Sequence, residues 1–149
     1  MAWTLHATVA AVIARKDRYL LVEESIDGRV CFNQPAGHLE PPESLLMAVQ
    51  REVLEETARP FEPEALVGFY QYDMQHKQRT YLRFCFCGPV GEPEPGRRLD
   101  REIIATHWLN LAEIETLRDS LRSPMVLQCI HDHRNGQRLP LETIHHIDR

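Results

Sequence analysis

Three glutamates, Glu52, Glu55 and Glu56, lie close together in a segment whose pattern predicts a helix. They are three and four residues apart, so at about 100° per residue their carboxylates fall within roughly a third of the helix circumference. Like charges at this spacing repel, and each pair destabilises an isolated helix by about 0.2–0.5 kcal/mol. A divalent cation with oxygen ligands would offset that repulsion.

The apolar residues of the same segment indicate which way the acids face. Leu45, Ala48 and Val49 precede Glu52 and Glu56 on one helical face. Because such an apolar stripe packs inward, the carboxylates at its end should line a cleft at the edge of the core. The alternative is an acidic, solvated surface helix.

Composition and charge limit the fold and the partners. The chain has 149 residues, 43% of them hydrophobic, which suits one domain at 1–149. Its net charge of -5 argues against binding a nucleic-acid polymer through a basic surface. The N-terminal residues lack the basic region of a signal peptide, and no run of about 18 apolar residues predicts a membrane span.

The four cysteines, Cys31, Cys85, Cys87 and Cys129, lack the spacing of a zinc site. We therefore interpret them as free thiols and expect a reducing cytoplasm. The sequence does not decide between a monomer and a homodimer.

The elements around the acidic helix are mostly strand-like. The segments 6–14 and 18–24 should pair antiparallel, and Asp27-Gly28 should turn the chain into a third strand at 30–33. One sheet with helices on both faces is expected. Further strands are predicted at 65–74, 80–87, 106–109 and 139–144, and helices at 43–58, 111–121 and 125–133.

The spacing back to an upstream loop resembles the Nudix box. That signature reads Gly, five residues, Glu, seven residues, then Arg-Glu-aliphatic-any-Glu-Glu-any-Gly-aliphatic. Ala58 and Arg59 stand where the signature has its last Gly and aliphatic residue. Because Gly allows a left-handed helix end, the sequence does not decide which conformation Ala58 adopts. The matching residues are Gly37, Glu43, Arg51, Glu52, Val53, Glu55 and Glu56.

Further stretches are similar to the NudJ phosphatase subfamily of that family: VEESIDGRVCFNQPAGHLE, LRF at 82–84, LRSP at 121–124 and GQRLPLE at 136–142. The resemblance covers nearly the whole chain. It implies an α/β (α+β) fold, a Nudix-type α/β/α sandwich with a mixed, partly antiparallel sheet between helices.

The resemblance also implies a Mg²⁺-dependent hydrolase of phosphoanhydride bonds, in which Mn²⁺ can substitute. Small-molecule nucleoside di- and triphosphates, and hydroxymethylpyrimidine diphosphate, are the implied substrates, with release of phosphate. The implied metal ligands are Glu52, Glu55, Glu56 and the Gly37 carbonyl, with Arg51 orienting the glutamates. Glu52 or Glu55 could accept the proton of the attacking water.

Other site residues are weaker candidates. Glu102 stands where many Nudix enzymes carry an extra metal-binding or catalytic glutamate, or is an exposed acid of the run RRLDRE. Arg83, in an apolar strand, could meet a phosphate or lie on a solvated face. Asn33 and Gln34 are candidate substrate contacts. The aromatic residues Phe69, Tyr70 and Tyr72 could stack on a base or pack in the core.

Three other functions are weighed against this one. A Nudix enzyme for nucleotide sugars or dinucleoside polyphosphates would share the box. A nucleotide-binding module without catalysis would have no need of all three box glutamates. A Ca²⁺-binding acidic protein would carry an EF-hand loop, which the sequence lacks.

Overall fold

The computed structural model describes residues 2–149. Five strands precede the first helix and three more precede the second, with short 3₁₀ turns at Gln75–Lys77, Arg118–Ser120 and Leu141–Thr143. The strands are β1 Thr4–Val12, β2 Ala14–Arg15, β3 Arg18–Ile26, β4 Arg29–Asn33, β5 Ala36–His38, β6 Ala65–Met74, β7 Arg79–Cys87 and β8 Ile103–Asn110. The helices are α1 Leu45–Thr57, α2 Leu111–Thr116 and α3 Met125–Arg134.

The strands form two sheets rather than the single sheet expected. One has the order β5-β1-β7-β6 and is mixed, because β1 and β7 are parallel while the other pairs are antiparallel. The second contains β2, β3 and β4, with β8 on the free side of β3. The predicted mixed α/β class with a partly antiparallel sheet is confirmed.

The predicted antiparallel pairing of the first two strands is wrong for most of their length. Only the short β2 pairs with β3, through Ala14 opposite Tyr19. β1 instead pairs with β7, about 75 residues later, from Thr4 opposite Arg79 onward. The break at Ile13 lets the chain pass from one sheet to the other. The turn at Asp27-Gly28 is confirmed, with φ of 51° and 78°, and it joins β3 to β4.

Alternate residues of β1, together with Ile13 directly after it, build the two halves of the core. Val9, Ala11 and Ile13 pack with α1, whereas Ala10 and Val12 pack with α2 and α3. All five are at most 1% exposed. A strand with both faces buried reads as a continuous apolar run, which is why period-two alternation is absent from its sequence. Helices therefore cover both faces of the mixed sheet, as predicted.

Helix α1 starts and ends close to the predicted limits. Ser44 caps its first turn, since the Ser44 hydroxyl accepts a hydrogen bond from the Met47 amide at 3.1 Å. At its other end Ala58 adopts the left-handed conformation, with φ of 64°, and its N–H donates to the Leu54 carbonyl. Ala58 is only 5% exposed. The packing around Ala58 therefore holds it in the left-handed conformation that glycine would adopt without strain.

Two predictions for the C-terminal third need correction. The predicted helix at 111–121 ends earlier, at Thr116, and continues as a 3₁₀ turn. The predicted strand at 139–144 is absent from the described structure, where Leu139 makes a single bridge to Leu66 and residues 141–143 form a 3₁₀ turn. Pro140 has no N–H to continue a strand ladder.

Candidate active site

Gly37 lies against the acidic face of α1. It belongs to β5, which pairs antiparallel with β1 through Val9 opposite Gly37. A Cβ built on Gly37 would lie 2.1 Å from Cδ of Glu52. Only glycine leaves room for the Glu52 carboxylate at its observed position, so β5 and α1 are in close contact here.

Three carboxylates converge beside this contact. One carboxylate oxygen each from Glu52, Glu56 and Asp100 lie within 4.8 Å of one another. Glu52 and Glu56 are 8% and 7% exposed, so the predicted cleft, rather than a solvated acidic face, is confirmed. Asp100 is positioned by its own amide, which donates to the Glu55 carbonyl at the end of α1. Oxygen ligands at this spacing suit a hard divalent cation.

The sequence does not single out Asp100 and points instead to Glu102 in the same charged run. The structure places Glu102 on the surface, with its backbone carbonyl accepting a hydrogen bond from the Ser25 amide. The run RRLDRE was therefore the right signal for an outside acid, but the turn that precedes β8 directs Asp100 toward α1. Local pattern alone does not distinguish two acids that are two residues apart in a loop.

Arg51 connects the loop to the helix. Its guanidinium donates to both carboxylate oxygens of Glu43, at 3.0 and 2.7 Å, and to the His38 carbonyl at 3.0 Å. It also donates to Glu52 at 2.7 Å and to Glu55 at 3.0 Å. The fork of five donors on arginine suits such a set of acceptors, and it holds the two glutamates in one orientation.

The carboxylates carry perturbed acidities. Burial raises the pKa of Glu52 to about 7, against the lowering effect of Arg51. Burial also raises the pKa of Glu56, with a further contribution from the neighbouring acids Glu52, Glu24 and Asp100. The pKa of Asp100 is raised by burial and then by Glu55 and Glu102. Ionising this cluster is therefore costly without a compensating cation.

This arrangement predicts a stability that falls with rising pH. The pKa of Glu52 is higher in the folded chain than in the unfolded chain, so ionisation of Glu52 opposes folding. Its contribution to stability is therefore lost as the pH rises from 4.5 to about 7. The loss from Glu52 should be at most about 3 kcal/mol. Urea unfolding of the metal-free protein and of Glu52→Gln across this range measures the contribution of Glu52, including its effect on the pKa of Glu56. Added Mg²⁺ should recover more stability at the upper end, and parallel profiles for the two proteins would contradict the prediction.

A cavity of about 120 Å³ opens beside the carboxylates. Gly37, Asn33 and Arg83 are among its lining residues. Arg83 is buried and donates to Gln34 at 2.8 Å and to Asn33 at 3.2 Å, so the structure brings the three predicted substrate residues together. The side chain of Gln34 fixes the position of Arg83, because its amide NH₂ also donates to the Val126 carbonyl. The Nε of Arg83 is buried without a hydrogen-bond partner.

The cavity wall also contains residues that the sequence did not single out. Glu24 is 7% exposed, and burial raises its pKa against the lowering effects of Arg122 and Asn33. Tyr81 is a second such residue, and it lies opposite Tyr72, the one aromatic candidate from the sequence that also lines the cavity. The other two aromatic candidates lie elsewhere: Phe69 is 55% exposed, and the Tyr70 hydroxyl donates to Asp132. Strand alternation explains why Tyr72 and Phe69 face opposite sides.

Comparison with known proteins gives concordant results. The NUDIX domain family model matches residues 4–128. The chain is 38% identical to phosphatase NudJ of Escherichia coli strain K12 over 139 residues, covering 93% of this chain and 90% of that protein. No helix in residues 2–149 is long and apolar enough to cross a membrane.

Solved structures show the same fold. A NUDIX hydrolase from Nitrosomonas europaea aligns with a TM-score of 0.93 at 46% identity, covering 95% of this chain and 97% of that one. The NUDIX domain of Shewanella oneidensis NrtR, complexed with ADP ribose, aligns with a TM-score of 0.68 at 18% identity, covering 91% of this chain and 89% of that one. With the box carboxylates gathered beside Gly37, the chain belongs to the Nudix family and is a hydrolase of phosphoanhydride bonds.

Proposed function

We propose that this enzyme is a Mg²⁺-dependent phosphohydrolase that releases orthophosphate from nucleoside tri- and diphosphates. Hydroxymethylpyrimidine diphosphate is proposed as a further substrate, on the resemblance to NudJ phosphatases. The observation that carries the proposal is the cluster of Glu52, Glu56 and Asp100 beside Gly37, which lines the same cavity as Arg83. A diphosphate lying between them would meet the cation that the three acids would hold on one side and the Arg83 guanidinium on the other.

The residues present fit a divalent cation. Glu52, Glu56 and Asp100 would hold it, with the Gly37 carbonyl as a further ligand, and a bound cation would offset the burial that raises the pKa of all three acids. When bound, Mg²⁺ neutralises phosphate charge and stabilises the leaving oxygen. Glu55 accepts a hydrogen bond from Arg51 and remains a proposed ligand beside the cluster.

Arg83 is the proposed phosphate-binding residue. Its guanidinium is held from behind by Asn33 and Gln34, and its buried Nε lacks a partner. Because Arg83 lines the cavity, its guanidinium would give a phosphate group bound there a charge-assisted hydrogen bond. Asn33, which lines the same cavity, is proposed to contact the substrate as well.

The proton of the attacking water is proposed to pass to Glu52 or Glu55. Both carboxylates accept hydrogen bonds from Nη1 of Arg51, so Arg51 orients the two candidates together. Comparing kcat against pH for Glu52→Gln and Glu55→Gln separates them, because only loss of the base removes the acidic limb of the profile. Glu102 is proposed to tune the cluster electrostatically, through its effect on Asp100.

The proposal extends to the cellular setting. All four cysteines are free thiols, three of them buried, which supports a reducing cytoplasm. The net charge of -5 supports a small-molecule substrate rather than a nucleic-acid polymer. A monomer or a homodimer is proposed as the working form.

A substrate panel with Mg²⁺ tests the function. It should contain nucleoside di- and triphosphates, hydroxymethylpyrimidine diphosphate, ADP-ribose, nucleotide sugars and dinucleoside polyphosphates, with orthophosphate and pyrophosphate measured separately. We expect orthophosphate as the main product from nucleoside di- and triphosphates. Pyrophosphate as the main product from triphosphates, or turnover of ADP-ribose alone, would overturn the assignment. Glu56→Gln, prepared in parallel, controls for contaminating phosphatases.

A further inference from the structure

We propose that a basic groove beside the candidate active site binds a second phosphate group of the substrate, an inference that rests on the proposed function. The groove is a cavity of about 450 Å³. Its cationic lining residues are Arg29, Lys77, Arg79 and Arg122, with His76 among them. The preferred substrate is therefore a nucleoside 5′-diphosphate that carries another phosphate on its ribose.

The charge of the groove contrasts with that of the whole chain, which is -5. Two acids, Asp27 and Asp119, also line it, so the cations are in excess by two. Within residues 2–149, none of the four cationic side chains forms an ion pair with a carboxylate. An excess of cations around one cavity favours an anionic ligand, since Asp27 and Asp119 offset only part of the repulsion among the cations.

The groove is continuous with the active-site cavity. Four residues, Ile26, Met74, Tyr81 and Arg122, line both. Along β7, Arg79, Tyr81 and Arg83 face the same side of the strand, so Arg79 lies about 13 Å from Arg83 at 3.3 Å per residue. That separation exceeds the length of a diphosphate. It suits a substrate with a nucleoside-sized body between two anionic groups.

Tyrosines occupy the space between the two ends. Tyr72 and Tyr81 are opposite each other on β6 and β7, and both line the active-site cavity. His6 stacks on the Tyr81 ring with 5.1 Å between centroids, which braces it from the far side. A base or sugar can therefore rest on an aromatic surface while its diphosphate reaches Arg83 and its second phosphate reaches Lys77 and Arg79.

The test compares ADP with its 3′-phosphorylated form, and GDP with its 3′-phosphorylated form, by kcat/KM for orthophosphate release. We expect each 3′-phosphorylated nucleotide to be preferred by about tenfold. The second phosphate would pair with both Lys77 and Arg79, and each exposed ion pair changes affinity by up to about fivefold. In the double variant Lys77→Asn/Arg79→Gln the ratio should fall close to one. Equal kcat/KM within each pair in the native enzyme, or a ratio unchanged in the double variant, would overturn the proposal.

Matched controls are available. The chain has only two lysines, Lys16 and Lys77, both exposed. Lys16→Asn/Arg97→Gln removes the same charges away from the groove and should keep the native ratio. If neither ADP nor its 3′-phosphorylated form is hydrolysed, the proposed function fails. Calorimetric binding of the same pair with Mg²⁺ then decides the groove, and equal affinities would reject it.

Discussion

Replacing Glu56 by Gln should lower kcat by about 10²-fold or more while the protein stays folded. The Glu56 carboxylate is 7% exposed and belongs to the cluster with Glu52 and Asp100. Its Oε1 accepts a hydrogen bond from the Ala36 amide at 3.0 Å, which the Gln carbonyl can retain. The substitution therefore removes charge from the metal-binding cluster with little change in shape.

Stability separates loss of catalysis from loss of fold. Burial raises the pKa of Glu56, so its charge destabilises the metal-free protein, and Glu56→Gln should unfold at the same or higher urea concentration than the native chain. The gain from Mg²⁺ should shrink at the same time. Glu64→Gln, an exposed acid outside the site, is the control and should keep native turnover. Near-normal kcat in Glu56→Gln would contradict the cluster as the catalytic site.

Replacing Arg51 by Met should lower both stability and turnover. The substitution leaves Glu43, Glu52 and Glu55 without their shared donor, together with the His38 carbonyl. Arg51 is 23% exposed, so we expect a loss of roughly 2–4 kcal/mol in the free energy of unfolding. Turnover should fall by at least about tenfold because the two glutamates lose their common orientation.

Two comparisons make this prediction specific. Arg51→Lys keeps the charge but has a single donor group, so it should recover only part of the stability and turnover. Arg97→Met removes a surface ion pair between Arg97 and Glu94, whose side chains are 38% and 47% exposed. The loss in the free energy of unfolding should be at most about 1 kcal/mol. Equal losses for Arg51→Met and Arg97→Met in urea unfolding would show that the network contributes no more than a surface pair.

Much of the candidate site follows from local sequence. The spacing from Gly37 to Glu56 predicted a loop followed by an amphipathic helix with its acids at the buried end. The helix is confirmed, whereas Gly37 lies in the short strand β5, and the loop follows His38. Helical periodicity and the loop glycine are properties of contiguous residues, so they can be read without knowledge of the rest of the chain. The strands at 65–74 and 80–87 were predicted for the same reason.

Other features depended on partners distant in sequence. β1 could pair with β3 or with β7, and the choice of β7 rests on burial of both β1 faces between α1 and α3. Asp100 rather than Glu102 joins the cluster because its amide bonds to the end of α1. Ala58 adopts a left-handed conformation because its surroundings bury it.

Sequence by itself therefore determined the family, the box helix and the acids that face inward. Tertiary structure alone decided which outside acid completes the cluster, that Asn33 and Gln34 hold Arg83, and that a basic groove adjoins the cavity. The physical reason is that these features arise from packing and hydrogen bonds between segments tens of residues apart. Their energies are summed over many weak contacts, and no local propensity records them.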